Sequence, residues 1–177
     1  SAQALTKDAA ERRKLKAFLD DNDMYLYTVN AFPYGPFKNQ LVKERVYEPD
    51  WRSDERATYT MQVADILAEV TAPEIDPTIQ SPPLGFKPRV TGPDVVAAYT
   101  RQVIRTVAHL VKLRERTGRK VRLSLEPEPY CFLETTEEAI DYFTNHLYAP
   151  PAVASLAKQT GLSEKDAQAA VRDHLGM

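Results

Sequence analysis

The sequence predicts an α/β protein built on a parallel sheet, and three observations carry that reading. Short segments rich in β-branched and aromatic residues alternate with longer segments of helical period, in the order α, β, α, β, α, β, α and then a helical pair. Residues 91–118 form the clearest helix. Pro93 lies in its first turn, Val96, Tyr99, Val103, Val107 and Leu110 recur at helical spacing, and Gly118 ends it. Residues 121–129, VRLSLEPEP, alternate apolar and polar side chains with a period of two, as a strand with one buried face does.

The elements follow in order. Residues 5–21 read as one helix with Leu15, Phe18 and Leu19 on its apolar side, and residues 24–32, MYLYTVNAF, as a strand. Residues 33–51 are irregular and too long for a simple connection, which marks a functional loop. Residues 53–70 are helical. Ser53 is the N-cap, Asp54 and Glu55 favour the positive end of the helix dipole, and Ala57, Met61, Ala64 and Leu67 form the inward stripe. Residues 74–88 contain a weaker, proline-interrupted strand. Residues 135–147 are a short helix with a Thr135-x-x-Glu138 capping box, and residues 150–176 two short helices joined at Gly161.

Length and composition fit one soluble domain over residues 1–177. Hydrophobic residues make up 43% and charged residues 27%, enough for a core under a solvated surface. A formal net charge of -2 gives no basic field of the kind nucleic acid or anionic membrane favours. Cys131 is the single cysteine, so no intrachain disulfide forms and a reducing, cytoplasmic setting is expected. No apolar run has membrane-spanning length.

In a parallel α/β layer the carboxyl ends of the strands gather the loops on one face, so chemistry is sought there. Alternation puts Val121, Leu123 and Leu125 on one face and Arg122, Ser124 and Glu126 on the other, with Glu128 sharing that side if the extended backbone continues through the prolines. Two acids close together repel unless one is protonated or a cation lies between them, and Mg²⁺ or Mn²⁺ takes carboxylate oxygens readily. The alternative is structural: Glu126 pairs with an arginine such as Arg122, and Glu128 is solvated. Asn30, Phe32 and Tyr34 make a similar case, since an amide beside aromatic rings suits a polyhydroxylated ligand; a hydrophobic plug is the competing reading. Gln80, at the end of the second strand, joins the same face. Lys38, Lys43, Arg45, Lys87 and Arg89 would meet an anionic group or simply be solvated. His109, His146 and His174 lack a second histidine at ligand spacing, and no histidine near Cys131 supports a nucleophile.

Three stretches, NAFPYGPF (30–37), VKERVYEPDWRSDERATYTMQVADIL (42–67) and LSLEPEPYCFLETTEEAIDYF (123–143), together resemble the EboE family of metabolite-traffic proteins, in the xylose-isomerase-like TIM-barrel superfamily. The resemblance runs from about residue 23 to the C-terminus. It implies a partial (β/α)8 TIM barrel of about three βα units, corresponding to the third to fifth strands; the C-terminal helical pair, residues 149–177, is read from its own residues as a hairpin inserted within that barrel. The resemblance further implies sugar or sugar-phosphate isomerase/epimerase chemistry, in which a divalent metal, Mn²⁺, Mg²⁺ or Zn²⁺, is held by Glu126 at the end of the fifth strand. Proton transfer beside a carbonyl is then aided by the metal. A metabolite-binding protein that kept the barrel without turnover is the alternative. The remaining metal ligands, an aspartate, a histidine and a second acid on later strands, have no counterpart here, so this chain alone is expected to be inactive. A full barrel takes about 250 residues. A truncated piece, a proteolytic fragment and a chain completed by oligomerising all remain open, and a lone monomer is expected to be poorly stable because its edge strands are unpaired. The segment LAKQTGLSEKDAQAAVRDHL has helix-turn-helix spacing at Ala157 and Gly161. Its acids Glu164, Asp166 and Asp173 argue against a nucleic-acid partner.

Overall fold

A computed structural model describes residues 2–32 and 47–177. The order is α1 (Ala2–Lys7), α2 (Ala9–Asp21), β1 (Thr28–Asn30), α3 (Asp54–Val70), β2 (Thr78–Ser81), α4 (Pro93–Thr117), β3 (Arg122–Leu125), α5 (Thr136–Tyr142), a π-helical turn (Phe143–Leu147), α6 (Pro150–Thr160), α7 (Glu164–His174) and β4 (Leu175–Gly176). It is an α/β fold with a four-stranded sheet. Every pairing is parallel and the strands lie in chain order, β1-β2-β3-β4.

Where the helices begin and end follows from local chemistry. Asp8 breaks what reads in sequence as one N-terminal helix: its carboxylate accepts from the amides of Ala10 and Glu11 and caps α2, leaving α1 as a separate turn. Ser53 caps α3 through the Arg56 amide, and Thr135 and Glu138 close a reciprocal capping box on α5. Gly118 and Gly161 end α4 and α6 in the left-handed conformation, which costs glycine nothing.

Parallel strands in consecutive order need right-handed crossovers, and these put the helices on one face of the sheet. Ile79, Val121, Leu123, Leu125 and Leu175 point that way and are buried at 2% exposure or less. They share one core with Ala57, Ala64 and Leu67 of α3 and Tyr99, Val103, Val107 and Leu110 of α4. Each fully buried valine, leucine or isoleucine among them contributes about 1.5–3 kcal/mol by leaving water. Met61 and Val96, also read as inward, are only partly buried at the margin of this core.

Three strands are legible in the sequence, and the described residues form four. The fourth, Leu175–Gly176, is too short to show a period, and it is recognised only through its pairing with Leu123 and Ser124. The helix α7 therefore leads directly into a strand. The π-helical turn after α5 is likewise unannounced in the sequence. No helix of the described residues is long and apolar enough to cross a membrane.

Candidate functional site at the carboxyl ends of the strands

The face of the sheet opposite the helices is polar, and the parallel register arranges it in rows. Thr28, Thr78 and Arg122 are in one row; Asn30, Gln80, Ser124 and Gly176 are in the next, nearer the carboxyl ends. Thr78 donates to Thr28 Oγ1 at 2.8 Å, and Gln80 Nε2 lies 3.3 Å from both threonine hydroxyls. The Gln80 amide is thereby held flat across two strands. Asn30 is exposed at the end of β1. A Cβ on Gly176 would lie at ordinary contact distance, 3.8 Å from Arg122 Nη2 and 3.9 Å from Ser124 Oγ, which places both side chains over this end of β4.

Glu126 follows β3 directly. Its amide donates to the Ser81 carbonyl at 2.9 Å, which extends the β2–β3 ladder by one step and carries the polar alternation to its side chain. It is half-buried. Burial, and after it the charge of Glu128, raises its carboxyl above the ordinary value. No ion pair joins it to Arg122 among the described residues. Glu128 is not merely solvated: the Tyr47 hydroxyl donates to its Oε2 at 3.0 Å.

Two loops are clamped together beside this pair. Phe86 and Cys131 form an antiparallel bridge, the Lys87 amide donates to Tyr130 O at 2.8 Å, and the Phe132 amide donates to Gly85 O at 2.9 Å. Tyr47 stacks on Phe86 with ring centroids 6.3 Å apart. Cys131 is fully buried under this clamp, and burial pushes its thiol up to about 11. Gly85 is needed here, because a side chain would run into the Tyr99 hydroxyl and lie 3.0 Å from Asp50 Oδ2.

Behind the ends of β1 and β2, on the helix side, Arg56 of α3 is 1% exposed. Its Nη2 donates to Ala31 O at 3.1 Å and Ser81 Oγ at 2.8 Å, while the Trp51 indole donates to the same Ser81 oxygen at 3.0 Å. The guanidinium sits 5.7 Å over the Trp51 ring. Burial lowers its affinity for the proton to about 10, and its Nε has no hydrogen-bond partner. Arg56 was detectable in sequence as a charged residue on the stripe formed with Thr60, Val63 and Leu67. Tyr47 carried no such signal.

The other residues singled out from sequence are placed as follows. Phe32 is half-buried, and its carbonyl accepts from Tyr59. Tyr34, Lys38, Lys43 and Arg45 lie outside the described residues. Lys87 pairs with Glu134 and Glu138 at 2.7 Å each, and Arg89 pairs with Glu48, so neither is simply solvated. His109 meets Asp65 at 2.9 Å and His146 stacks on Tyr142. His174 is buried, with Nδ1 donating to Val121 O at 2.8 Å. A groove lined by Thr100, Ile104, His146 and Ala152 lies on the helical layer, away from the strand ends.

Among the described residues no three histidine, cysteine, aspartate or glutamate side chains converge as metal ligands. Glu126 and Glu128 are two carboxylates without the aspartate, histidine and second acid of an isomerase-type set, so these residues do not by themselves fit such a metal. No family model, no curated protein and no solved structure matches the chain.

Proposed function

We propose that this sheet is part of a xylose-isomerase-like (β/α)8 barrel of the EboE metabolite-traffic kind, and that its polar face binds a sugar-like, polyhydroxylated metabolite. The observation that carries the reading is the row Asn30–Gln80–Ser124 with Glu126 one step beyond it, at the carboxyl ends of parallel strands in consecutive order. Consecutive parallel strands with helices on one face make a singly wound sheet, the local plan of a barrel. Amides and hydroxyls at strand ends exchange hydrogen bonds with ligand hydroxyls, and Glu126, with its raised proton affinity, is the group to move a proton beside a carbonyl. Among the described residues Glu126 is the side chain that the resemblance would make a metal ligand, and it would need further ligands to hold one.

Binding without turnover is the second reading, and the Gln80 amide held between Thr28 and Thr78, a platform for ligand hydroxyls, supports it. Calorimetric titration of Mn²⁺ into the wild type and Glu126→Gln separates the two. The enzyme reading expects Mn²⁺ binding that is lost in the variant. The binding reading expects a panel of free pentoses, hexoses and their phosphates to raise the melting temperature without metal. A protein that responds to neither Mn²⁺ nor any sugar in the panel would overturn both.

A further inference from the structure

Arg56 stands where an arginine is least favoured. It is the third residue of α3, in the first turn, where the partial positive charge of the helix N-terminus disfavours a cation. It opens an inward stripe that Thr60, Val63 and Leu67 continue, all of them buried. Burial lowers its proton affinity to about 10, and its Nε has no hydrogen-bond partner. An apolar side chain of similar length would escape all three penalties.

What the arginine supplies is a bridge. Its Nη2 donates to Ala31 O, just past the end of β1, and to Ser81 Oγ, on the last residue of β2. Both residues are buried, at 1% and 0% exposure. The bridge lies behind the candidate site and touches each of its parts. Asn30 precedes Ala31, and the Ala31 amide donates to Gln80 O at 2.8 Å. Ser81 O accepts the Glu126 amide at 2.9 Å. The Ser81 hydroxyl is saturated: it accepts from Arg56 and from Trp51 Nε1, and it donates to Pro82 O at 3.0 Å. The side chain is thereby held in one orientation, and the peptide group that receives Glu126 is held with it. Tyr59, one turn further along α3, donates to Phe32 O at 3.0 Å. That bond stays with the chain leaving β1, whereas the Arg56 bond crosses to β2.

We propose that Arg56 is a positioning residue of the site: its buried bridge locks the carboxyl ends of β1 and β2 together and, through Ser81, fixes Glu126. The inference rests on the reading of this face as a binding site and adds what holds it in shape. Without the guanidinium the Ala31 carbonyl loses its donor, and the strand ends open locally while the core stays closed.

Amide hydrogen exchange of the ligand-free protein, followed residue by residue by NMR, tests it. Arg56→Met should fold. Relative to the amides of Val103 and Val107 in the core of α4, those of Ala31 and Glu126 should exchange at least about tenfold faster in the variant than in the wild type, the effect of orphaning one buried carbonyl. Tyr59→Phe removes the donor to Phe32 O and should leave the Glu126 amide unchanged. An unaltered exchange ratio in Arg56→Met overturns the proposal, because the arginine then only fills space. So does an Arg56→Met chain that fails to fold, because the arginine then serves the fold itself, or an equal loosening of Glu126 in Tyr59→Phe. Where a sugar raises the melting temperature of the wild type, Arg56→Met should need about tenfold more of it, and an unchanged response also overturns the proposal. The exchange experiment contains neither sugar nor Mn²⁺, so its failure is separate from failure of those titrations.

Discussion

Tyr47 and Glu128, 81 positions apart in the chain, are joined by a 3.0 Å hydrogen bond in which the phenol donates to the carboxylate. The bond ties the segment before α3 to the loop after β3, and it sets the second carboxylate beside Glu126. Tyr47→Phe keeps the stacking on Phe86 and removes only the donor. It should cost about 1 kcal/mol in urea denaturation. In a double-mutant cycle with Glu128→Gln the two losses should be clearly non-additive, since the residues share one interaction.

Arg56 separates volume from charge. Arg56→Ala leaves a cavity beneath Trp51 and frees Ala31 O, and about 3 kcal/mol of stability should be lost. Arg56→Met fills most of that space and removes a buried cation that has no carboxylate ion pair among the described residues. It should cost less than half as much, because an apolar side chain of similar size avoids the desolvation penalty. Denaturation midpoints of the two variants check this order.

Glu126 should make the protein less stable as pH rises. Its folded-state proton affinity is raised by burial and then by Glu128, so the folded state holds the proton longer than the unfolded state does. Between the unfolded value near 4.5 and the higher folded value, stability therefore falls with increasing pH. Glu126→Gln removes this loss. Its melting temperature at pH 7 should equal or exceed that of the wild type, and the difference should vanish below pH 4.5.

His174 should act in the opposite direction. Burial lowers its proton affinity below the ordinary 6.5, and its Nδ1–H is committed to Val121 O. Below about pH 6.5 the unfolded chain takes up a proton that the folded chain refuses, so stability falls as pH falls. In His174→Gln the melting temperature should lose this slope between pH 6.5 and the lower folded value.

The helices were legible because their ends are written in single residues: Ser53, Thr135, Gly118 and Gly161 each impose a backbone state or satisfy a free amide. Asp8 shows the limit, since its cap divides a continuous helical pattern that composition alone joins. The facing of β3 could also be read, because Leu123 and Leu125 alternate with Ser124 and Glu126. Other features depend on tertiary contact and leave no periodic trace. β4 is two residues long, Tyr47 meets its partner across 81 positions, and the loop clamp pairs Phe86 with Cys131. Of the site, Asn30, Gln80 and Glu126 follow from strand ends, whereas the orientation of Glu128 depends on a residue that no local pattern links to it.

The burial of Cys131 gives the molecule a built-in clock. A thiol at full burial whose proton is held to about pH 11 offers almost no thiolate to an alkylating reagent, and the chain has no other sulfhydryl to compete. The rate at which iodoacetamide labels the native protein therefore reports how often the Phe86–Cys131 clamp parts, one site at a time, with no engineered probe.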